Sequence, residues 1–386
     1  MRTRLIVSIL FVTTGSVFAQ KALNSINIAA RYQIGRNPNA NFLWLDPNSL
    51  LISYTQRTED EKVGLLVYNS YRAKKPTRNV DAVPKCEDNQ CMIHIESLEL
   101  LDDEVLVLKI FSEEENRRFV YDLTSTFKNY SPILLKNKDN TPILTSYVGG
   151  KQKIIVETVG SEEEIHVYYY AKKFNFADPP TRILNLPGKN FIPDTLYQLM
   201  ENDVFSPTRK GLYFMQADTT LAGGYSFRLE GKEYPSYNSL VNLRECMRYI
   251  TTTSEWRKLN VPNLSKVDFD NVWLKMAGNE IGAKKAIREY FRRIRSSNRF
   301  FTTYKEGWKT DMGMIYTIFG PPDEVYMKKY YEVWKYEKTP HHDKLEFSFK
   351  KILSPFSQRH FILIRGDEYK LDWHRTVDLV RKGMDQ

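Results

Sequence analysis

Short apolar runs separated by polar turns occupy the first two thirds of the chain. The runs at residues 63–68, 105–111 and 165–170 lack helical periodicity and are rich in β-branched and aromatic residues. Glycine pairs or charged clusters fall between such runs, as they do at hairpin turns. The pattern predicts antiparallel β-sandwich modules over residues 20–130 and 131–238, or one larger β domain across both ranges.

From about residue 239 the apolar spacing changes from two residues to 3.6. Residues 240–250 and 283–295 place their apolar side chains on one helical face. Short strands are then predicted again, at residues 314–319, 332–336, 345–350 and 360–365. We therefore predict an α+β domain over residues 239–386, with helices packed on a small antiparallel sheet.

The N-terminus carries the features of a secretory signal peptide. Arg2 and Arg4 precede an apolar core at residues 5–12, and small residues allow cleavage after Ala19. No later run of about 18 apolar residues follows, so we expect no transmembrane segment in the mature chain. Residues 1–19 therefore predict export, to the periplasm or to the periphery of the outer membrane.

Export bears on how the cysteines are interpreted. Cys86 and Cys91 flank a polar loop, which in an oxidising compartment allows a disulfide at a hairpin tip. Two free thiols are the alternative, and a single pair with this spacing is a poor zinc site. Cys246 lies on a predicted amphipathic helix, where we expect a buried core thiol.

Basic residues are concentrated in the C-terminal part of the chain. Residues 240–386 hold 28 Lys+Arg against 19 Asp+Glu, whereas residues 20–239 hold 26 against 28. The asymmetry indicates an acidic partner surface or a solvated basic face. Candidates for binding anionic lipid or polymer lie on the clearest predicted helix: Arg288, Arg292, Arg293 and Arg295. Outside the cytoplasm we expect no nucleic-acid partner.

The most distinctive stretch joins the predicted helices to the predicted sheet. Gly307 is expected to adopt a conformation barred to other residues, and Trp308 to anchor a loop on the sheet. Thr310 and Asp311 can accept backbone N–H groups in a tight turn. We therefore expect residues 307–311 to form a turn that leads into a strand.

A second turn follows this predicted strand. Gly320 allows a tight exit, and Pro321 and Pro322 fix two φ angles and stop the strand. Asp323 and Glu324 can then cap a short helix. In this interpretation every residue of the turn has a structural role.

A chemical interpretation of the same stretch brings Asp311, Asp323 and Glu324 together at one sheet edge. Three carboxylates can bind a cation or hydrolyse a glycan. Other catalytic patterns are missing, since the sequence has no H-E-x-x-H, no G-x-S-x-G and no phosphate-binding loop. We assign no catalytic residue, no metal ligand and no cofactor.

The two turns and the run between them resemble the GWxTD-domain family of exported bacterial proteins, which is typical of Bacteroidota. Residues 307–311 match the name-giving motif in full, and residues 313–324 resemble the run that follows it. The resemblance covers residues 239–372, about the last third of the chain. It implies an envelope setting and no established catalytic activity, so no residue roles carry over.

These observations predict a non-enzymatic binding or assembly subunit of a cell-envelope protein complex, acting through protein–protein contacts. The exported β modules, the charge asymmetry and the lack of a catalytic signature favour this function. The alternative is an envelope hydrolase of glycan or peptide that uses the carboxylates near residues 307–311.

Overall fold

The computed structural model describes most of the chain, namely residues 21–35, 37–124, 130–160, 164–171, 174–181 and 191–384. The predicted signal peptide lies outside these residues. The N-terminal part is built mainly of antiparallel sheets, and the C-terminal part combines helices with a small antiparallel sheet. The predicted fold class is therefore confirmed.

The first unit is a pair of four-stranded antiparallel sheets. Its strands are β1 (Asn41–Trp44), β2 (Leu50–Thr55), β3 (Lys62–Tyr68), β4 (Arg78–Val80), β5 (Lys85–Glu87), β6 (Gln90–Ile95), β7 (Val105–Ser112) and β8 (Arg117–Asp122). The sheet orders are β1-β2-β6-β5 and β4-β3-β7-β8. Alternate side chains such as Ile52, Ile93 and Leu108 point inward and form the core between the two sheets.

The second unit also consists of two sheets. Its strands are β9 (Ile133–Lys136), β10 (Tyr147–Gly149), β11 (Ile154–Thr158), β12 (Glu164–Tyr170), β13 (Thr195–Met200), β14 (Val204–Phe205), β15 (Gly211–Gln216) and β16 (Tyr225–Glu230). One sheet has the order β10-β16-β15-β12-β13 and the other β14-β11-β9. All neighbouring strands are antiparallel except β10 and β16. Val167, Tyr213 and Phe227 lie in the core.

The first unit packs against the rest of the molecule with the outer faces of both its sheets. Leu43 and Leu51, on the outer face of one sheet, belong to the core of the second unit. Val105 and Val107, on the outer face of the other sheet, belong to the core of the C-terminal domain. Burial on both faces explains why β7 is a continuous apolar run and not an alternating one.

The C-terminal domain places six helices beside a four-stranded antiparallel meander. Its elements are α1 (Leu240–Cys246), α2 (Thr253–Leu259), α3 (Lys266–Ala277), α4 (Glu280–Phe301), α5 (Asp311–Phe319), β17 (Glu324–Met327), β18 (Tyr331–Tyr336), β19 (Leu345–Lys351), β20 (Phe361–Leu363) and α6 (Lys370–Lys382). Side-chain oxygens of Ser239, Thr252, Ser265 and Asn279 accept N–H groups at the starts of α1 to α4. Within the described residues, every helix is too short or too polar to cross a membrane.

Residues 314–319, which the sequence predicted to be a strand, belong to helix α5. Every residue of α5 is buried, so its apolar run shows no helical face. A short apolar run of this kind does not distinguish a buried strand from a buried helix. The helix is set instead by its ends: Thr310 caps the N-terminus, and Gly320, with a φ of 81°, ends it.

The first described residues pack on the C-terminal domain and form no strand of the first unit. They make two 3-10 turns, Leu23–Ser25 and Ala29–Tyr32. The backbone N–H of Ile28 donates to the carbonyl oxygen of Val325, and the Tyr316 hydroxyl donates to the carbonyl oxygen of Tyr32. The chain therefore enters the C-terminal core before it builds the first sandwich.

Candidate functional site

Residues 307–311 form a compact joint between α4 and α5. Gly307–Lys309 make one 3-10 turn, and Thr310 is the N-cap of α5. The Thr310 hydroxyl donates to the carbonyl oxygen of Gly307 at 2.7 Å and accepts the N–H of Gly313 at 3.0 Å. Thr310 accepts a backbone N–H as expected, but this hydrogen bond begins a helix and not the predicted strand.

Gly307 is required by close packing, and the expected unusual backbone conformation is not the reason. It is not among the described residues with positive φ. A Cβ at this position would overlap the carbonyl oxygen of Ser297 in α4. The buried side chain of Asn298 continues the contact, because its Oδ1 accepts the N–H of Trp308 at 3.2 Å. The first motif residue therefore lets the joint lie directly on helix α4.

Trp308 fixes a connection of the second unit, and not a loop on the C-terminal sheet as predicted. Its indole is buried and stacks on Phe176, with ring centroids 6.5 Å apart and planes at 13°. The edge of Tyr249 packs on the same indole at 5.8 Å. The N–H of Ala177 donates to the carbonyl oxygen of Lys309 at 2.9 Å. The motif thus holds residues 174–181, which follow β12.

Asp311 is closed off by a buried ion pair. Its Oδ1 lies 2.6 Å from Nη2 of Arg365, and its Oδ2 accepts Nη1 at 3.1 Å and the N–H of Leu363 at 2.7 Å. The two side chains are only 8% and 5% exposed. Arg365 also donates to the carbonyl oxygens of Asp178 and Pro179. The pair therefore joins the motif, the end of β20 and segment 174–181.

A second buried network flanks the motif on the side of the second unit. Arg228 of β16 lies 2.6 Å from Glu230 and 3.5 Å from Glu306, and Lys309 lies 2.9 Å from Glu306. Burial opposes ionisation of Glu306, but Arg228 and Lys309 outweigh it and lower the pKa of that carboxyl. Burial raises the pKa of Glu230. The ion pairs among these four residues hold the second unit against the joint.

Sequence reasoning missed most of these partners. Arg228, Glu230 and Arg365 were not singled out, because each is ordinary in its local sequence. Strand β16 alternates apolar and polar residues, as a half-exposed strand does, so its local sequence gave no sign that Arg228 is buried.

Asp323 and Glu324 do not cap a helix. Glu324 begins β17, and Asp323 accepts the N–H of Glu337 at 2.8 Å across the hairpin. Asp311 is the first residue of α5, whose nine residues extend about 13 Å, and Asp323 lies beyond the other end of the helix. Among the described residues, no group of three His, Cys, Asp or Glu side chains could hold a metal. The geometry does not bring the three candidate carboxylates together.

The four candidate arginines on α4 do not form one basic surface. Arg293 donates to the carbonyl oxygen of Ile318 at 2.7 Å, where α5 ends, and Arg292 pairs with Glu289 at 2.8 Å. Arg288 and Arg295 are exposed. Two of the four candidates therefore have contacts within the protein.

The disulfide between Cys86 and Cys91, which the sequence left open, is present, and Cys246 is buried as predicted. Cys86 and Cys91 form a disulfide that links neighbouring strands β5 and β6. Cys246 is free and buried, and burial raises the pKa of its thiol well above the ordinary value. The disulfide staples the hairpin at one edge of the first unit.

A large cleft opens where the two β units meet the C-terminal domain. Its volume is about 1050 Å³, at the upper end of ordinary ligand sites. One wall is the first unit, the second is loop 139–147 of the second unit, and the third includes residues 299–303 and 357–361. Thr310 and Met312 also line it, so the cleft borders the joint between α4 and α5.

The sheet register explains the polar wall of the cleft. Asn41, Ser53, Met92 and Lys85 are cross-strand neighbours in β1, β2, β6 and β5, and they face away from the core of the first unit. Two residues along, the same face carries Leu43 and Leu51, which pack on the second unit. The face therefore changes from apolar to polar where the two units separate.

Taken together, the described residues form two β units and an α+β domain that meet at a buried joint beside an open cleft. The family model of the GWxTD domain matches residues 211–382, and this part of the chain is a GWxTD domain. The match begins in β15, earlier than the resemblance at residue 239 suggested. No curated protein matches the chain significantly.

Proposed function

We propose that the protein is a non-enzymatic binding or assembly subunit of the cell envelope that acts through protein–protein contacts. The observation that carries the proposal is the position of the GWxTD motif. Its residues hold the second β unit against the C-terminal domain. A cleft of about 1050 Å³ opens beside this joint, and the first unit forms one of its walls. A joint of this kind presents a preformed concave surface to a partner.

The state of the carboxylates supports binding over hydrolysis. The two oxygens of Asp311 are occupied by Arg365 and by the backbone of Leu363. Glycoside hydrolysis requires two carboxyl groups flanking one bond, roughly 5–9.5 Å apart. Asp311 and Asp323 lie at opposite ends of a buried helix instead.

The disulfide supports an extracytoplasmic site of action. Cys86 and Cys91 are bonded, and such bonds persist mainly in oxidising compartments. This agrees with the predicted signal peptide, and we propose that the protein works in the periplasm or at the outer membrane periphery.

Photo-crosslinking in intact cells tests the proposal. A photoreactive amino acid is placed at Thr55 or Thr141, both of which line the cleft, and at exposed Val267 on α3 as the control. We expect the two cleft positions to capture the same envelope protein and the control to capture none of it. If the cleft positions yield no protein adduct, the proposal is wrong.

A further inference from the structure

We propose that the cleft binds an acidic polypeptide segment in which carboxylates alternate with apolar side chains. The inference rests on the proposed function, since it names the kind of partner segment that the cleft accepts. It is carried by two arginines with free guanidinium groups and by the mixed chemistry of the walls.

Arg299 and Arg359 differ from the other arginines at the junction. Arg31, Arg228 and Arg365 each pair with a buried carboxylate. Arg299 and Arg359 line the cleft and are exposed, and their guanidinium groups have no hydrogen-bond acceptor among the described residues. A planar guanidinium offers two parallel N–H donors, which match a carboxylate. The cleft therefore contains two unused carboxylate-binding groups.

The surroundings of Arg359 favour an incoming anion. Its guanidinium lies over the ring of Phe42, with 5.6 Å to the centroid. The side chain is open to the cleft but is crowded by protein, and this desolvation lowers its pKa. The positive charge of Arg31 lowers the pKa further, and Tyr32, Glu332 and Asp122 offset only part of the two effects. A bound carboxylate would offset both effects.

Arg299 occupies the last turn of α4 and acts on the facing loop. Burial raises the pKa of Tyr147, and the charge of Arg299 partly reverses that shift. The guanidinium of Arg299 is therefore close enough to interact electrostatically with the phenol of Tyr147, which also lines the cleft. Arg295, one turn earlier on α4, is also exposed but does not line the cleft.

The walls indicate a polypeptide more than an acidic polysaccharide. The cleft is lined by half-buried Ile143, Leu144 and Phe361. Apolar side chains of a polypeptide can pack on this surface, whereas the carboxylates of a polysaccharide cannot use it. Met92 adds an adaptable apolar surface of the type found at peptide-binding sites. Asn41 and Ser53 beside it can hydrogen-bond to a main chain.

Acidic residues at the rim limit the charge that the ligand can carry. Glu87, Asp88 and Asp139 line the cleft and are exposed. They would repel a uniformly charged polyanion, while a segment with spaced carboxylates can keep its charges near Arg299 and Arg359. This selects against nucleic acid and polyphosphate.

Fluorescence anisotropy on the full-length mature protein tests the ligand class. The probe is a short labelled peptide of Glu, Leu and Ser, and its partner probe has Gln in place of Glu. We expect binding of the Glu peptide, with at least tenfold weaker binding of the Gln peptide. Arg299→Glu and Arg359→Glu should each weaken binding about tenfold or more, because each removes a charge-assisted contact. Arg295→Glu should stay within about twofold of the wild type.

The outcomes separate the two proposals. Equal binding of both peptides, equal loss in the Arg295→Glu control, or tighter binding of polygalacturonate than of the Glu peptide would each overturn the ligand class. Circular dichroism checks that the variants are folded, and a Lys-for-Glu peptide that regains affinity for Arg299→Glu supports the contact directly. Crosslinking from Thr55 and Thr141 still decides the proposed function, whichever ligand class the anisotropy measurements support.

Discussion

Asp311 and Arg365 form a buried bidentate ion pair that ties the last residue of the GWxTD motif to the chain after β20. The N–O distances are 2.6 and 3.1 Å, and Arg365 extends the contact to segment 174–181. The motif is thereby explained as a joint between modules.

Removing the charge of Asp311 should destabilise the fold. Asp311→Asn leaves the buried guanidinium of Arg365 without a counter-charge, and we expect a loss of about 3–5 kcal/mol in the free energy of unfolding. Urea denaturation followed by tryptophan fluorescence measures it. Asp367→Asn, an exposed carboxylate two residues after Arg365, is the control and should change stability by less than about 0.5 kcal/mol. A fully stable Asp311→Asn protein that loses its cellular phenotype would instead favour the hydrolase alternative.

Adding one methyl group at Gly307 should be severe. The Cβ of Gly307→Ala overlaps the backbone of Ser297, so helix α4 and the motif must separate, at a cost of about 3 kcal/mol or more. Gly64→Ala in β3 is the matched control, because no heavy atom lies within 4 Å of its Cβ position. Thermal unfolding of both variants compares them. Equal melting temperatures would contradict the packing explanation.

The stability should depend on pH through His360. Burial, with a smaller contribution from Lys305, lowers the pKa of His360 to about 4. The unfolded chain binds a proton there below about 6.5, whereas the folded protein does so only near pH 4. The unfolded state therefore holds more protons between these values, and stability should fall as pH falls from about 6.5 to 4.

Urea denaturation across this pH range checks the prediction. The variant His360→Gln should flatten the dependence, and His374→Gln, which alters an exposed histidine on α6, should leave it unchanged. An unaltered slope in His360→Gln would show that other groups cause the pH dependence.

The disulfide should stabilise the hairpin wall of the cleft. Cys86 and Cys91 are five residues apart, so their bond removes about 2 kcal/mol of loop-closure entropy from the unfolded chain. We expect Cys86→Ser/Cys91→Ser to lose up to this amount and to bind the acidic peptide less tightly. Reductant should reproduce both effects in the wild type and have none in the double variant. Unchanged peptide affinity would separate the hairpin from ligand binding.

Local signals predicted the fold class and most of its strands. Alternating or continuous apolar runs gave strands such as β7 and β12, and the 3.6-residue spacing of residues 283–295 gave helix α4. The prediction of a strand at residues 314–319 was wrong. These residues belong to helix α5, which is buried on every side, and such burial removes the periodicity that marks a helix.

The sequence alone determined the β-rich architecture, the α+β domain and its GWxTD motif, because periodicity and motif spacing are local properties of the chain. Tertiary structure decided what the motif does. Arg365 lies 54 residues after Asp311, and only folding places its guanidinium against that carboxylate. The cleft likewise exists only after three separate parts of the chain pack together. Long-range packing and charge pairing, which leave no local pattern, therefore define the site.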